Sequence, residues 1–363
     1  MSSSRILMRS LISSGIMIIC FFMVLTAYAT TIKKIVVFGD SLSDNGNIYA
    51  ATTAGSWLSE KLCQDLGISC SKLPIIPQSP PYYQGRFSNG PVWIEDISQM
   101  MNLTQTVTQF SDYAFGGAWL EAAGYGGKGI APDDIGVQVS TYMFLYPFEK
   151  GKVDDYLFVI WAGGNDYLNR RSNVESATTK SIKAIHEQIN KLMGYGAKIF
   201  LIPNLPDLGA TPWATSQGHQ FAENLTALSL QHNQKLAAMI LKEQRANPNV
   251  KFITVDAMQF FKDLDVNGSK YGLKNVKDAC YDGKFYSTNS VPTVFADDKV
   301  NKIMNENIEL REAYMTTYIA NKGQQMCVNP DEYLFWDHVH PTKIVHQLLA
   351  NYVLTILKQN NIY

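Results

Sequence analysis

The stretch Ile35-Val36-Val37-Phe38-Gly39-Asp40-Ser41-Leu42-Ser43-Asp44-Asn45-Gly46-Asn47 decides how this chain is read. Four apolar, mostly β-branched residues run into Gly-Asp-Ser, the pattern of a buried strand closing on a sharp turn. Ser41 then stands at the carboxyl end of a strand, where open α/β sheets place their ligands. A serine there can be a nucleophile if the chain also supplies a base and fixed donors for an oxyanion. It can equally belong to a Ser/Asp-rich turn that caps the next helix.

Outward from this strand, the pattern repeats. Phe110 onward ends in Ser111-Asp112-Tyr113-Ala114-Phe115-Gly116-Gly117-Ala118, a strand end running into a glycine pair. Asp155 to Ala162 is a second buried run and ends in Gly163-Gly164-Asn165-Asp166. Lys198 to Pro203 and Val250 to Val255 are two more. Helical stripes fall between them, from Val174 to Met193 (Ile182, Ile185, Ile189, Leu192) and from Phe221 to Arg245. Alternating strands and helices predict an α/β fold, a doubly wound, mostly parallel sheet covered on both faces, in a single domain. Ser56 to Leu66 predicts a short helix, and residues 71–90 an irregular stretch rich in Pro and Tyr. Asn89-Gly90-Pro91 predicts a helix start with Pro91 in the first position. Residues 264–330 break the rhythm and read as an insertion, and Pro341 begins a final helix.

The chain has 363 residues, 46% hydrophobic and 17% charged, so a large core is available. The net charge of -1 leaves no nucleic-acid footprint. Residues 1–29 carry Arg5 and Arg9, an apolar run from Leu11 to Leu25, and Ala27-Tyr28-Ala29. That is the form of a cleaved signal peptide, which predicts a secreted protein of residues 30–363. Four cysteines remain after cleavage, Cys63, Cys70, Cys280 and Cys327. Three pairings are open, and proximity favours Cys63–Cys70 and Cys280–Cys327. There is no Cys-x-x-Cys and no His-Glu-x-x-His, so neither a metal nor another cofactor is implied.

Six histidines are candidates for a base. His186 reads as half-exposed beside a helical stripe, His219 and His232 as surface residues, and His346 as part of the last helix. That leaves His338 and His340. Asp337 lies three residues before His340, a spacing at which a carboxylate can meet and orient an imidazole.

Taken together, these blocks resemble the GDSL, or SGNH, hydrolases. Gly39-Asp40-Ser41-Leu42 with Asp44, Gly46 and Asn47, then Gly116, then Gly163-Gly164-Asn165-Asp166, then Asp337-His338-Val339-His340-Pro341 stand in that family's order over residues 33–357. Gly85-Arg86-Phe87-Ser88-Asn89-Gly90-Pro91-Val92-Trp93 and Phe335-Trp336-Asp337 look like the secreted bacterial branch of phospholipases A and glycerophospholipid:cholesterol acyltransferases. The resemblance implies a flavodoxin-like three-layer α/β/α fold. It implies Ser41 as nucleophile, His340 as base and then acid, and Asp337 orienting His340. It implies an oxyanion hole from the backbone N–H groups of Ser41 and Gly116 and the side-chain amide of Asn165, with Gly117 second choice for the Gly116 role. Asp40 and Asp166 would organise their loops.

The expected substrates are phospholipids or lysophospholipids, with cholesterol as an alternative acyl acceptor and contact with a membrane surface. An esterase of small esters or acetylated sugars, and a non-catalytic lipid- or glycan-binding protein, are the competing readings. The Cys280–Cys327 segment, residues 281–326, reads as a lid over a lipid cleft, which the resemblance to the acyltransferase branch would make a target for an activating protease, or as a surface excursion with no regulatory role.

Overall fold

A computed structural model of the chain describes residues 30–53, 60, 75–120, 134–168, 173–280 and 326–363. The expected signal peptide, the 56–66 helix except residue 60, Cys63, Cys70 and the body of the 281–326 loop lie outside these residues. The described elements are, in chain order, β1 (Lys34–Gly39), α1 (Asn47–Thr52), α2 (Trp93–Met100), β2 (Phe110–Asp112) and α3 (Ile135–Leu145). Next come β3 (Tyr156–Trp161), α4 (Gly164–Leu168), α5 (Val174–Tyr195) and β4 (Ile199–Pro203). The chain continues through α6 (Pro212–Ser216), α7 (His219–Ala246), β5 (Lys251–Val255) and α8 (Ala257–Asn267). It ends with β6 (Asn275–Ala279), β7 (Tyr333–Phe335) and α9 (Lys343–Gln359).

β1 to β5 form one parallel sheet in the order β2-β1-β3-β4-β5. This is the doubly wound order whose switch point lies between β1 and β3. The near-continuous apolar strands follow from burial on both faces. Ile35, Val37, Val159 and Leu201 face one core, which α2, α8 and α9 cover with Trp93, Ile97, Leu264, Val345, Leu349 and Val353. Val36, Phe38, Phe158 and Phe200 face the other, covered by α3, α5 and α7 through Val139, Tyr142, Ile185, Ile189, Leu236 and Ile240. Each such side chain, fully buried, contributes about 1.5–3 kcal/mol, and the two faces together fix the three-layer architecture.

Two boundaries differ from the sequence expectation. Pro91 does not open α2. Val92 stays extended as the N-cap, and the Glu95 carboxylate accepts its N–H at 3.0 Å, so the helix starts at Trp93. Within 264–330, α8 runs on to Asn267, and β6 pairs in parallel with β7 as a separate two-stranded sheet. Cys280 and Cys327 are joined by a disulfide across a sequence separation of 47. Cys327 N–H also donates to the Cys280 carbonyl at 2.6 Å, and Cys280 N–H donates to the Phe335 carbonyl at 3.0 Å, which holds the two chain ends together at the end of β7.

Candidate active site

The site is assembled where β1 ends. Gly39 is required by close approach, since a Cβ there would sit 2.7 Å from the Trp161 carbonyl oxygen of β3. Gln138 of α3 clamps the same residue, accepting its N–H at 2.9 Å and donating to its carbonyl at 2.8 Å. The chain then turns tightly. The Asp40 carbonyl accepts the N–H groups of Ser43 and Asp44, both at 3.0 Å, and its carboxylate accepts that of Leu42 at 3.2 Å. Ser41 sits in this turn, buried.

Asp337 and His340 come from the loop after β7. The Asp337 Oδ1 accepts the backbone N–H groups of Val339 (2.8 Å) and His340 (2.7 Å), so the three-residue spacing is a side-chain-capped turn. Trp336 N–H closes the loop on the His340 carbonyl at 2.7 Å. The other carboxylate oxygen, Oδ2, receives His340 Nδ1 at 2.7 Å, and His340 Nε2 lies 2.9 Å from Ser41 Oγ. With Nδ1 carrying its proton toward the carboxylate, Nε2 is left as the acceptor facing the hydroxyl. Burial alone would raise the Asp337 carboxyl. The His340 charge, the His340 hydrogen bond and the Tyr82 hydroxyl outweigh it and hold the group below its ordinary value. This arrangement can take a proton from a serine and stabilise the imidazolium that results.

Tyr82 was not singled out by the sequence. Its buried hydroxyl donates to Asp337 Oδ2 at 2.6 Å, the oxygen that also meets His340. Its ring lies edge-on to Phe87 and Trp336, each at 6.3 Å between centroids, and Phe87 lies 5.0 Å from the His340 ring. The Pro/Tyr-rich stretch therefore backs the histidine. Ser88 Oγ donates to the Pro341 carbonyl at 2.9 Å, and the Asn89 side chain accepts the Lys343 N–H at 2.7 Å, docking this stretch on the loop that carries His340.

Asn165 lies in the first turn of α4, buried. Its Nδ2 donates one hydrogen to the Ala118 carbonyl at 3.0 Å, and Asp166 accepts the Leu120 N–H at 2.8 Å. These bonds tie α4 to the glycine loop after β2. Gly116, the expected oxyanion donor, lies in that glycine loop. Its N–H donates to Asp44 Oδ2 at 2.7 Å and so faces that carboxylate. Asp44 also accepts the N–H groups of Gly46, Asn47 and Ile48. Burial pushes its carboxyl up to about 6, against the pull of those four N–H groups. Position 116 needs glycine for a steric reason, because a Cβ would stand 2.2 Å from the Phe87 ring.

The remaining histidines are dispersed. His219 is exposed and pairs with Glu223, and His186 is partly exposed and bonds to Glu243 at 2.9 Å. His232 is not a surface residue. It is buried, and its Nδ1 lies 2.7 Å from the Tyr167 hydroxyl of α4. His346 is buried and accepts the Trp93 N–H at 3.2 Å. Burial lowers His232 to about 3, and burial followed by the His340 charge does the same to His346, so both stay neutral. His338 is buried within the same loop, and its carbonyl accepts the Trp213 N–H at 2.9 Å. Among the described residues no cluster of three or more His, Cys, Asp or Glu side chains could hold a metal, and no helix is long and apolar enough to cross a membrane.

A strand-end serine, an imidazole in contact with it and a buried carboxylate behind that imidazole make this an ester hydrolase's arrangement. The profile of the GDSL-like lipase/acylhydrolase family matches residues 35–353, and the chain belongs to that family. It is 30% identical to a phosphatidylcholine-sterol acyltransferase of Aeromonas hydrophila over 339 residues, 90% of each chain. It is 26% identical to a thermolabile hemolysin of Vibrio parahaemolyticus, covering 89% of this chain and 63% of that one. An acylhydrolase structure from Bacteroides fragilis aligns at a TM-score of 0.35 and 10% identity, covering 91% of this chain and 88% of that one. At that score the fold is read from the chain's own sheet.

Proposed function

We propose that this GDSL acylhydrolase is an exported enzyme that cleaves fatty acyl esters of phospholipids or lysophospholipids through an acyl-Ser41 intermediate. The observation that carries it is the continuous chain Ser41 Oγ, His340 Nε2, His340 Nδ1, Asp337 Oδ2, with contacts of 2.9 and 2.7 Å. In this reading Ser41 Oγ attacks the ester carbonyl and its proton passes to His340 Nε2. The tetrahedral oxyanion is held by the Ser41 N–H, by the side-chain amide of Asn165 and by a backbone N–H of the Gly116-Gly117 pair. Collapse breaks the ester bond, and the leaving oxygen takes the proton from Nε2. Water, or a sterol hydroxyl, then attacks the acyl carbon as His340 takes its proton. Collapse restores Ser41 and releases a fatty acid or a sterol ester.

The lipid substrate and the sterol acceptor are supported by the relative named as a phosphatidylcholine-sterol acyltransferase. Export is supported by the form of residues 1–29. The test is product analysis on phosphatidylcholine vesicles with and without cholesterol, with Ser41→Ala alongside. Expected products are fatty acid and lysophospholipid, joined by sterol ester when cholesterol is present, and no product from Ser41→Ala. Hydrolysis of acetylated sugars or other acetyl esters with no fatty acid release would overturn the lipid assignment. Turnover by Ser41→Ala would overturn the nucleophile.

A further inference from the structure

We propose that the acyl chain of the substrate lies in an apolar groove between α8 and the β6–β7 sheet, and that the groove-facing side of α8 sets which chain lengths are accepted. This rests on the Ser41 reading and adds a binding site to it.

A cavity of about 370 Å³ opens beside the catalytic loop, within the range of built ligand sites. Leu42, Gly164, His340 and Pro341 form part of its wall, so it begins next to Ser41 and Asn165. Met258, Phe261, Lys262, Asp265 and Val266 of α8 line it as well. Their spacing of three, one, three and one is a single face of a helix, and the eight steps from Met258 to Val266 span about 12 Å. Val276, Leu334 and Phe335 of the small sheet, with Leu205 and Leu208 after β4, supply the other apolar surface.

The polar side chains in the wall are already partnered. Asp207 accepts the Thr226 hydroxyl at 2.7 Å, Thr211 donates to the Leu208 carbonyl at 2.8 Å, and Asp265 pairs with Lys277 at 2.5 Å. Lys262 is exposed and keeps its ammonium in water while its stem lies along the wall. A ligand filling this space therefore gains contact with carbon and few new hydrogen bonds. Two lining residues remain largely in water, Val266 at 70% and Leu230 at 45% exposure, which gives the groove an apolar rim. An acetyl group would occupy only the end beside His340. A long alkyl chain uses the whole length.

Each methylene buried on binding raises kcat/KM by roughly fourfold. The probes are p-nitrophenyl butyrate and p-nitrophenyl dodecanoate, assayed with the full-length enzyme. Wild type should favour the dodecanoate. Val276→Trp, which fills the groove, and Leu230→Trp, at an exposed position that tolerates bulk, should lower the dodecanoate-to-butyrate ratio of kcat/KM by about tenfold, the worth of fewer than two methylenes. Phe261→Ala should raise that ratio for hexadecanoate over dodecanoate. A ratio changed by less than twofold in Leu230→Trp and in folded Val276→Trp overturns the groove. Ser41→Ala separates the two readings. If it is inactive on both esters while the groove variants leave the ratio untouched, only the groove assignment fails. Turnover of either ester by Ser41→Ala overturns the catalytic reading itself.

Discussion

At the amino end of β1, Lys34 is fully buried 3.2 Å from Glu149, and its ammonium lies 4.4 to 5.8 Å from the ring centres of Tyr146, Tyr156 and Tyr142. Tyr142 donates to the other Glu149 oxygen at 2.8 Å, and Tyr195 donates to the Tyr146 carbonyl. Just past the carboxyl end of the same strand, Ser41 meets His340, which meets Asp337. Both regions bury an acid against a base, and both surround the pair with aromatic rings. They differ in what the base touches next. The Lys34 ammonium faces one carboxylate and a set of rings, and burial raises the Tyr142 hydroxyl well above its ordinary value, so it stays neutral. His340 faces a hydroxyl at the switch point of the sheet and lines a groove. A buried charge pair therefore marks a site only when a nucleophile and space for a ligand adjoin it.

The comparison breaks most visibly at His340. His340→Ala should lower kcat about 10⁴-fold or more, as severely as Ser41→Ala, because members of one catalytic unit fail together. His338→Ala keeps the backbone carbonyl that accepts the Trp213 N–H and should be far milder. Steady-state kinetics on one ester checks the ranking, and the reverse order would transfer the base role to His338. The next largest effect is at Asn165. Asn165→Ala should lower kcat about 10²–10³-fold with little change in KM, the scale for one oxyanion donor. A loss confined to KM would assign Asn165 to ground-state binding.

Much of this was legible before the structure. The four long strands and the helices α5 and α7 follow from apolar runs and 3.6-residue stripes, and burial on both faces explains why those runs carry no alternation. The Asp337–His340 spacing was legible too, since it is a local turn. His232 was misread, although Leu225, Leu228, Leu236 and Ile240 lie on its stripe and a stricter count would have placed it inside. The steric need for glycine at 116 was not legible, because the Phe87 ring that demands it is written 29 residues earlier. Tyr82 left no trace, because its partner lies 255 residues away. β6 was hidden by its charged, turn-rich sequence, Asn275-Val276-Lys277-Asp278-Ala279, none of whose residues is fully buried.

Tyr82→Phe sharpens the comparison with a smaller effect. Removing the hydroxyl leaves Asp337 Oδ2 with one donor fewer, so more of its negative charge acts on His340. The imidazolium is then better stabilised and holds its proton to higher pH. The acid limb of kcat/KM should move upward, with a fall in kcat of about threefold to tenfold from the lost charge-assisted bond. A structural role alone would lower activity at every pH by the same factor. A pH–rate profile that falls uniformly, or does not change, would remove Tyr82 from the relay.

The smallest effect on activity belongs to the other end of β1. Lys34→Met leaves the mostly buried Glu149 carboxylate with Tyr142 but without its cation. Breaking a buried pair in this way costs up to about 3–5 kcal/mol, and the value here should fall at the lower end, because the Glu149 side chain keeps 14% of its exposure and the Tyr142 bond. Lys34→Met combined with Glu149→Leu removes both charges and should recover most of that loss, since apolar replacement of a buried pair is often neutral or better. Urea midpoints for the two variants measure it. In both, kcat on a short ester should stay within about twofold of wild type, because stability lost far from the reacting atoms lowers the folded fraction and not the turnover of folded enzyme. A folded Lys34→Met protein with kcat reduced by orders of magnitude would mean that the two ends of β1 are coupled through the strand. The Lys34 cage would then be part of the catalytic device and not only the pair that closes the far end of β1.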